Sequence, residues 1–263
     1  MTWEMILICS SERPLTSVYF YDEDQILLGD ESGTSATFSE LARKKGRRVV
    51  EIHLEGFYRV LGGRDYDHFL SSIFSGNIAM KPLQYDFRLF SNIREMLRTM
   101  EERKTEPDSV RPPKLALLAS FTKSDGRKEK RRVFDPEILW LMDEKTEYPA
   151  YWTGKKDPLQ YCASIYGSQG FESDYVGLIW GEDLVWRGSW TIQPDKIMDG
   201  IGGNNSLKKL AITAPERARS MLINRYRIML SRGMEGTYVY CEDGATLDHL
   251  RSILSETPRI SKN

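Results

Sequence analysis

Hydrophobic positions in this chain form short β-branched or aromatic runs that alternate with stretches of helical spacing. Ser17–Tyr21 predicts a strand whose end, Asp22–Gln25, is acidic and polar. Thr37–Lys45 predicts a short helix stopped by Gly46, and Val49–Leu54 a second strand. Asp65–Phe74 reads as a helix and Phe87–Phe90 as a strand. Asn92 with Glu95 is a cap for a helix bearing Ile93, Met96, Leu97 and Met100 on one face. Thr105–Pro113 is a polar loop and Lys114–Phe121 a buried strand. Beyond the charged loop Lys123–Arg132 and the connection Tyr148–Leu159, strands are expected at Cys162–Tyr166 and Tyr175–Trp180. Gly200–Asn205 is a loop, and Thr213-Ala-Pro-Glu216 reads as a capping box opening a long helix closed by Gly233. A strand at Thr237–Cys241 and a helix at Leu247–Leu254 end the pattern. Strands alternating with helices imply an α/β fold, a mostly parallel sheet with helices on both faces.

Composition narrows this only a little. With 40% hydrophobic and 11% aromatic residues, the chain can bury a sizeable core in one large or two small domains. Thirty-seven Lys and Arg nearly balance 38 Asp and Glu, which excludes a globally basic nucleic-acid binder but not a local basic groove. Cys9, Cys162 and Cys241 are scattered, form no zinc-ligand or disulfide pattern, and fit a reducing cytoplasm. The apolar run Met5–Cys9 is too short to span a membrane, so no membrane partner is expected.

Ligands of open α/β sheets bind beyond the carboxyl ends of strands, which singles out Asp22–Gln25, Phe57–Arg59, Tyr166–Asp174 and Tyr226–Gly233. The glycines of Tyr166-Gly-Ser-Gln-Gly suit either a tight turn or close approach of backbone to a ligand. In the long helix, Ala218, Met221, Leu222 and Met229 share a face with Arg225 and Arg232. A guanidinium on a buried face needs an anion, which is either an acidic neighbour or a phosphate. The loop Lys123–Arg132 suits a nucleic-acid backbone or a solvated insertion. Trp140, Trp152, Trp180, Trp186 and Trp190 suit base stacking or core packing.

Ser168-Gln-Gly-Phe-Glu-Ser-Asp-Tyr-Val176 resembles helicase motif V, and Tyr226–Gly233 resembles motif VI. Phe57-Tyr-Arg59 is similar to motif IV, and Tyr19–Gln25 to motif III. In this order they resemble the second RecA-like lobe of superfamily 1 helicases, in the Schlafen-like bacterial DNA/RNA helicase family. The resemblance implies a RecA-like P-loop NTPase lobe, with residues 1–46 a remnant of the first lobe and 47–263 the second. It implies that Gln25 senses the γ-phosphate and that Arg59 and Arg232 act as catalytic arginine fingers. Phe57 or Tyr58 would stack on adenine, Gln169, Gly170 and Glu172 would line the nucleotide site, and Ser164 and Tyr166 would face DNA or RNA. Relatives often carry Thr and His at those last two positions, and an aromatic residue at Ser173.

No segment matches Gly-x-x-x-x-Gly-Lys-Ser/Thr; the nearest, Gly29–Thr34, lacks the Lys and carries two acids. Asp22-Glu23 also fits the magnesium-binding motif II, but the spacing from Gln25 to Arg59 and the lack of a preceding phosphate loop favour motif III. The expectation is an ATP-dependent helicase or translocase lobe, inactive alone, using ATP with Mg when a first lobe or partner subunit is supplied. The alternative is a degenerate nucleic-acid- or protein-binding module. No metal site of the chain's own is expected. Gln25, Arg59, Gly170 and Arg232 should gather on one partly exposed rim of the sheet.

Overall fold

The computed structural model describes residues 18, 35–52, 60–82, 84–105, 111–120, 131–132, 137–141, 143 and 145–255. Gln25, Phe57, Tyr58 and Arg59 lie outside the described residues, as does the strand expected at 17–21 apart from Val18.

After helices α1 (Ser35–Lys44) and α2 (Gly63–Ser75), a seven-stranded sheet is assembled in the order β2-β10-β7-β3-β6-β5-β4. Its strands are β2 (Asp86–Phe90), β3 (Leu115–Ala119), β4 (Arg131–Arg132), β5 (Glu137–Trp140), β6 (Tyr161–Ala163), β7 (Ser173–Trp180) and β10 (Gly233–Cys241). All neighbours are parallel except the edge pair β4–β5. The short β1 (Ala79–Met80) lies outside this sheet and pairs with β11 (Leu254–Ser255). The hairpin β8–β9 (Leu184–Trp186, Trp190–Ile192) also stands apart.

Why the central strands read as nearly continuous apolar runs is explained by their two covered faces. Along β3, Ala116 and Leu118 join one buried cluster while Leu115, Leu117 and Ala119 join the other. Along β10, Val239 and Cys241 point to the first face, Tyr238 and Tyr240 to the second. The first face is covered by α2, α6 (Leu207–Thr213), α7 (Pro215–Leu230) and α8 (Gly244–Ile253). The second is covered by α3 (Ile93–Arg103) through Ile93, Met96 and Met100. Asn92 caps α3 as expected, accepting from the amides of Arg94 and Glu95.

Several local expectations are corrected. Residues 49–52 form no strand, and Val50 and Ile52 are exposed. Cys162–Tyr166 is divided: β6 stops at Ala163, and Ser164 begins the one-turn helix α5 (Ile165–Ser168). Helix α4 (Glu147–Trp152) occupies part of the Tyr148–Leu159 connection. The capping box at Thr213 is absent. Thr213 ends α6, where its hydroxyl donates to the Lys209 carbonyl, and α7 starts with Pro215 in its first turn, where a missing N–H costs nothing. The tryptophans follow the packing reading: Trp140, Trp180 and Trp190 are buried, and Trp180 stacks on both Trp190 and Tyr226.

Helix α7 is locked to the sheet by a buried polar knot. The Tyr226 hydroxyl donates to Asp183 Oδ1 at 2.5 Å and accepts from the Gly181 amide at 3.0 Å, while Ser120 at the end of β3 donates to Asp183 Oδ2. Asp183 is fully enclosed, and burial raises its carboxyl pKa although the two hydroxyls oppose the shift.

Gly233 does not cap α7; it begins β10 at a register shift between Gly233 and Gly236. A Cβ there would lie 2.1 Å from the Gly236 carbonyl oxygen, a backbone atom that cannot give way. Gly233→Ala is therefore expected to cost about 2–3 kcal/mol and to lower Tm by about 5–10 °C in a circular-dichroism melt. An unchanged Tm would show that the bulge tolerates a side chain. For Asp183 the sign is also fixed. Its pKa is higher in the fold than in the unfolded chain, so its contribution is full below about pH 4 and declines as pH rises toward the folded value. Asp183→Asn cannot ionise, so the stability advantage of the wild type over this variant should shrink as pH rises above about 4, the ordinary carboxylate value, in denaturant titrations. A constant difference across that range would contradict the buried, raised carboxyl.

Candidate functional site at the amino-terminal edge of the sheet

The two motif-like segments meet where β7 and β10 begin. Ser173 pairs in register with Gly233, and the Ser173 amide donates to the Arg232 carbonyl at 3.1 Å. Gly170, Glu172 and Arg232 thus precede strands, on the edge opposite to the one that the carboxyl-end rule indicates. Ser164 follows β6 and sits near the carboxyl ends. The reason is that α5 and residues 169–172 run back along the sheet between β6 and β7.

The turn bearing Arg232 is fixed by hydrogen bonds to its carbonyls. Leu230 O accepts from the hydroxyls of Tyr66 (2.7 Å) and Thr237 (3.0 Å). Gly233 O accepts from the Tyr85 hydroxyl at 3.0 Å, and Met234 O from the Leu61 amide at 2.8 Å. Tyr66 and Tyr85, both fully buried, pack with ring centroids 4.1 Å apart beneath the turn. Arg232 is itself only 5% exposed, which corrects the expectation of a partly exposed finger. Its Nε is enclosed and makes no hydrogen bond, although the residue takes part in a further interaction inside the protein.

Opposite it, Gln169 and Gly170 are exposed, with Gly170 at φ 74° and no atom within 4 Å of where a Cβ would stand. Glu172 is half-buried. Phe171 stacks on Trp152 with centroids 3.5 Å apart, and the Lys114 ammonium lies 3.8 Å from the Phe171 ring centre. Asp174 is committed to structure: Arg111 donates to both its oxygens at 2.7 and 3.0 Å, and the Lys114 amide donates at 2.5 Å. Burial works to raise its pKa, but these donors outweigh it and hold the carboxyl below its usual range.

Arg225 finds its anion inside the protein, which settles the choice between neighbour and phosphate for that residue. It donates to Asp199 Oδ2 at 2.5 Å and to the Tyr166 hydroxyl at 2.8 Å, and Tyr166 donates to the same Asp199 oxygen at 2.6 Å. The Arg225 and Asp199 side chains are 4% and 2% exposed. Burial pushes the Tyr166 phenol well up, so it stays a neutral donor. Ser164 is buried too, its hydroxyl 3.5 Å from that of Tyr148. Both residues proposed to face nucleic acid therefore turn their hydroxyls toward the protein.

Asp199 was not singled out by motif reading. Its available signal was the Asp-Gly that opens the glycine-rich loop: Oδ1 accepts from the Ile201 amide at 2.9 Å, a turn typical of Asp before Gly. Among the described residues no group of His, Cys, Asp and Glu could hold a metal ion, and no helix is long and apolar enough to cross a membrane.

Comparison with known proteins gives the family. A stretch of 95 residues is 27% identical to an uncharacterized protein of Saccharomyces cerevisiae, YPL245W. It covers 35% of this chain and 20% of that protein, so the chain spans about a fifth of the relative's length. The C-terminal domain of a possible DNA helicase from Lactobacillus plantarum WCFS1 aligns over 72% of this chain and 91% of that one, at 11% identity and a TM-score of 0.31. The family model of the Schlafen group 3, DNA/RNA helicase domain matches residues 4–243, which take in both the Ser168–Val176 and the Tyr226–Gly233 segments, and the chain belongs to that family.

Proposed function

We propose that this chain supplies the second RecA-like lobe of an ATP-dependent DNA or RNA helicase or translocase. The observation that carries the reading is the Ser173–Arg232 hydrogen bond, which brings the motif V and motif VI segments to one edge of the sheet. In this reading residues 1–46 belong to the first lobe and 47–263 to the second. Gly170 presents open backbone to the phosphates, with Gln169 and Glu172 beside it, and Arg232 neutralises charge developing on the transferred phosphoryl group. Gln25 and Arg59 complete the set from the first lobe and from motif IV, with Phe57 or Tyr58 against the base. ATP and magnesium are held chiefly by a first lobe, on this or another polypeptide, because no phosphate loop occurs in these 263 residues. For Ser164 and Tyr166 to contribute to the nucleic-acid face, their hydroxyls must first leave Tyr148 and Asp199.

Arg232 is enclosed, so reaching a nucleotide requires the turn to open or the other lobe to complete its surroundings. That enclosure supports the second reading, a nucleic-acid- or protein-binding module without turnover. Kinetics separate the two.

These 263 residues alone should hydrolyse no ATP above background with or without nucleic acid. Magnesium-dependent turnover abolished by Asp22→Ala would show that Asp22-Glu23 is motif II. With a first lobe supplied, Arg232→Ala should reduce kcat by about 10³-fold or more while ATP binding changes little, because charge stabilisation is concentrated in the transition state. Arg232→Lys should rescue poorly, since Lys lacks the planar fork. Wild-type turnover in a folded Arg232→Ala protein would favour the binding module.

A further inference from the structure

The sequence Arg43-Lys-Lys-Gly-Arg-Arg48 has no role in any of the four motifs. It sits where α1 ends, and all its residues are exposed. Gly46, at φ 69°, ends the helix: its amide donates to Arg43 O at 2.9 Å, and the Arg47 amide donates to Ala42 O at 3.0 Å. This pair of bonds is the standard left-handed helix stop, and it wraps the chain so that Arg47 and Arg48 follow directly on Arg43, Lys44 and Lys45. Five cations thus crowd one helix end. Between residues 36 and 52 the acids are Glu40, paired with Lys44 at 2.8 Å, and Glu51, which accepts from the Ser39 hydroxyl, so the five cations outnumber them.

Helix chemistry explains part of this cluster. Cations in a last turn interact favourably with the carbonyl end of the helix by about 0.3–1 kcal/mol, and the effect fades within that turn. Arg47 and Arg48 lie beyond it, and five like charges at close range repel one another. In a chain of net charge −1, such a concentration suits a polyanion with regularly spaced charges. We infer that Arg43–Arg48 is a phosphate-contact surface for a nucleic-acid strand, additional to the motif residues. The contact is to the backbone and independent of sequence, because closely spaced cations on an exposed turn meet the regularly spaced phosphates whatever the bases are.

This inference rests on nucleic acid being the partner proposed above, and salt titration separates the two. Binding of the intact chain to a labelled single-stranded oligonucleotide would be followed by fluorescence anisotropy between about 50 and 200 mM salt. Each cation that meets a single-strand phosphate contributes about 0.7 to the slope of log K against log salt. Arg47→Gln with Arg48→Gln, which leaves the helix intact, should make the slope shallower by about 1.4. Replacing all five cations by Gln should weaken binding at least tenfold at about 100 mM salt. Arg→Lys replacements at 43, 47 and 48 should keep the slope, and an unchanged Tm should confirm that each variant is folded. Oligonucleotide binding with the same slope in the Gln variants would overturn this surface while leaving the proposed function standing. No binding to DNA or RNA at any salt would overturn both. Tighter binding to vesicles of anionic phospholipid than to the oligonucleotide, lost in the Gln variants, would assign the surface to membranes instead.

Discussion

The arrangement around Arg232 depends on a bulge that only glycine permits. Where α7 gives way to β10, the carbonyls of Leu230, Arg232, Gly233 and Met234 are all taken by donors from other parts of the chain. Those donors are two buried tyrosines, a threonine and two backbone amides, reaching in from α2 and the residues just before it, from the turn before β2, from β10 and from β7. The contact between the Gly233 and Gly236 backbones lets the strand kink enough to offer these oxygens. A buried carbonyl left without a donor costs about 1–3 kcal/mol, so the five bonds act as one constraint on the turn. Arg232 inherits its position from that constraint.

Buried charge is settled in pairs elsewhere in the domain, and each pair joins segments distant in sequence. Arg225 with Asp199 ties α7 to the glycine-rich loop, and Tyr166 adds α5 to the same oxygen. Arg111 with Asp174 ties the entrance of β3 to that of β7. Removing one partner of the enclosed Arg225–Asp199 pair typically costs about 3–5 kcal/mol, although replacing both by apolar groups can be neutral, whereas in the second pair only Asp174 is enclosed and Arg111 is exposed. These pairs therefore specify which segments lie together more than they add stability. They also explain why Asp174, in the Ser168–Val176 segment whose polar residues invite functional reading, is occupied inside the protein.

The sheet was legible because strands covered on both faces announce themselves as apolar runs, as in Leu115–Ala119 and Tyr175–Trp180. The buried face of α7 was equally legible, including the arginines that a purely apolar pattern would have excluded. Less was visible where a local signal had two physical meanings. Thr213 and Glu216 carry the letters of a capping box, yet Pro215 starts the helix without one and Thr213 closes the helix before it. Val49–Leu54 has strand-forming residues, but over 49–52 no strand among the described residues pairs with them. The partners of Arg225 and Asp174 could not be named from spacing, because Asp199 and Arg111 are 26 and 63 residues away and are brought in only by the sheet order. The carboxyl-end rule failed for a topological reason: residues that follow β6 in sequence return to the amino edge before β7 begins.

That return makes α5 and α7 two members of one framework. Tyr166 of α5 is bound through Asp199 to Arg225, two helical turns before Arg232, and Ser173, five residues after α5, is bound to the Arg232 carbonyl. A shift of residues 164–168 therefore meets resistance at two points on the segment bearing Arg232, one through a buried ion pair and one through the backbone. Close-packed cores transmit such displacements because their side chains have no free volume to absorb them. The carboxyl-end position of Ser164 and the amino-edge position of Arg232 are consequently mechanically joined across the sheet.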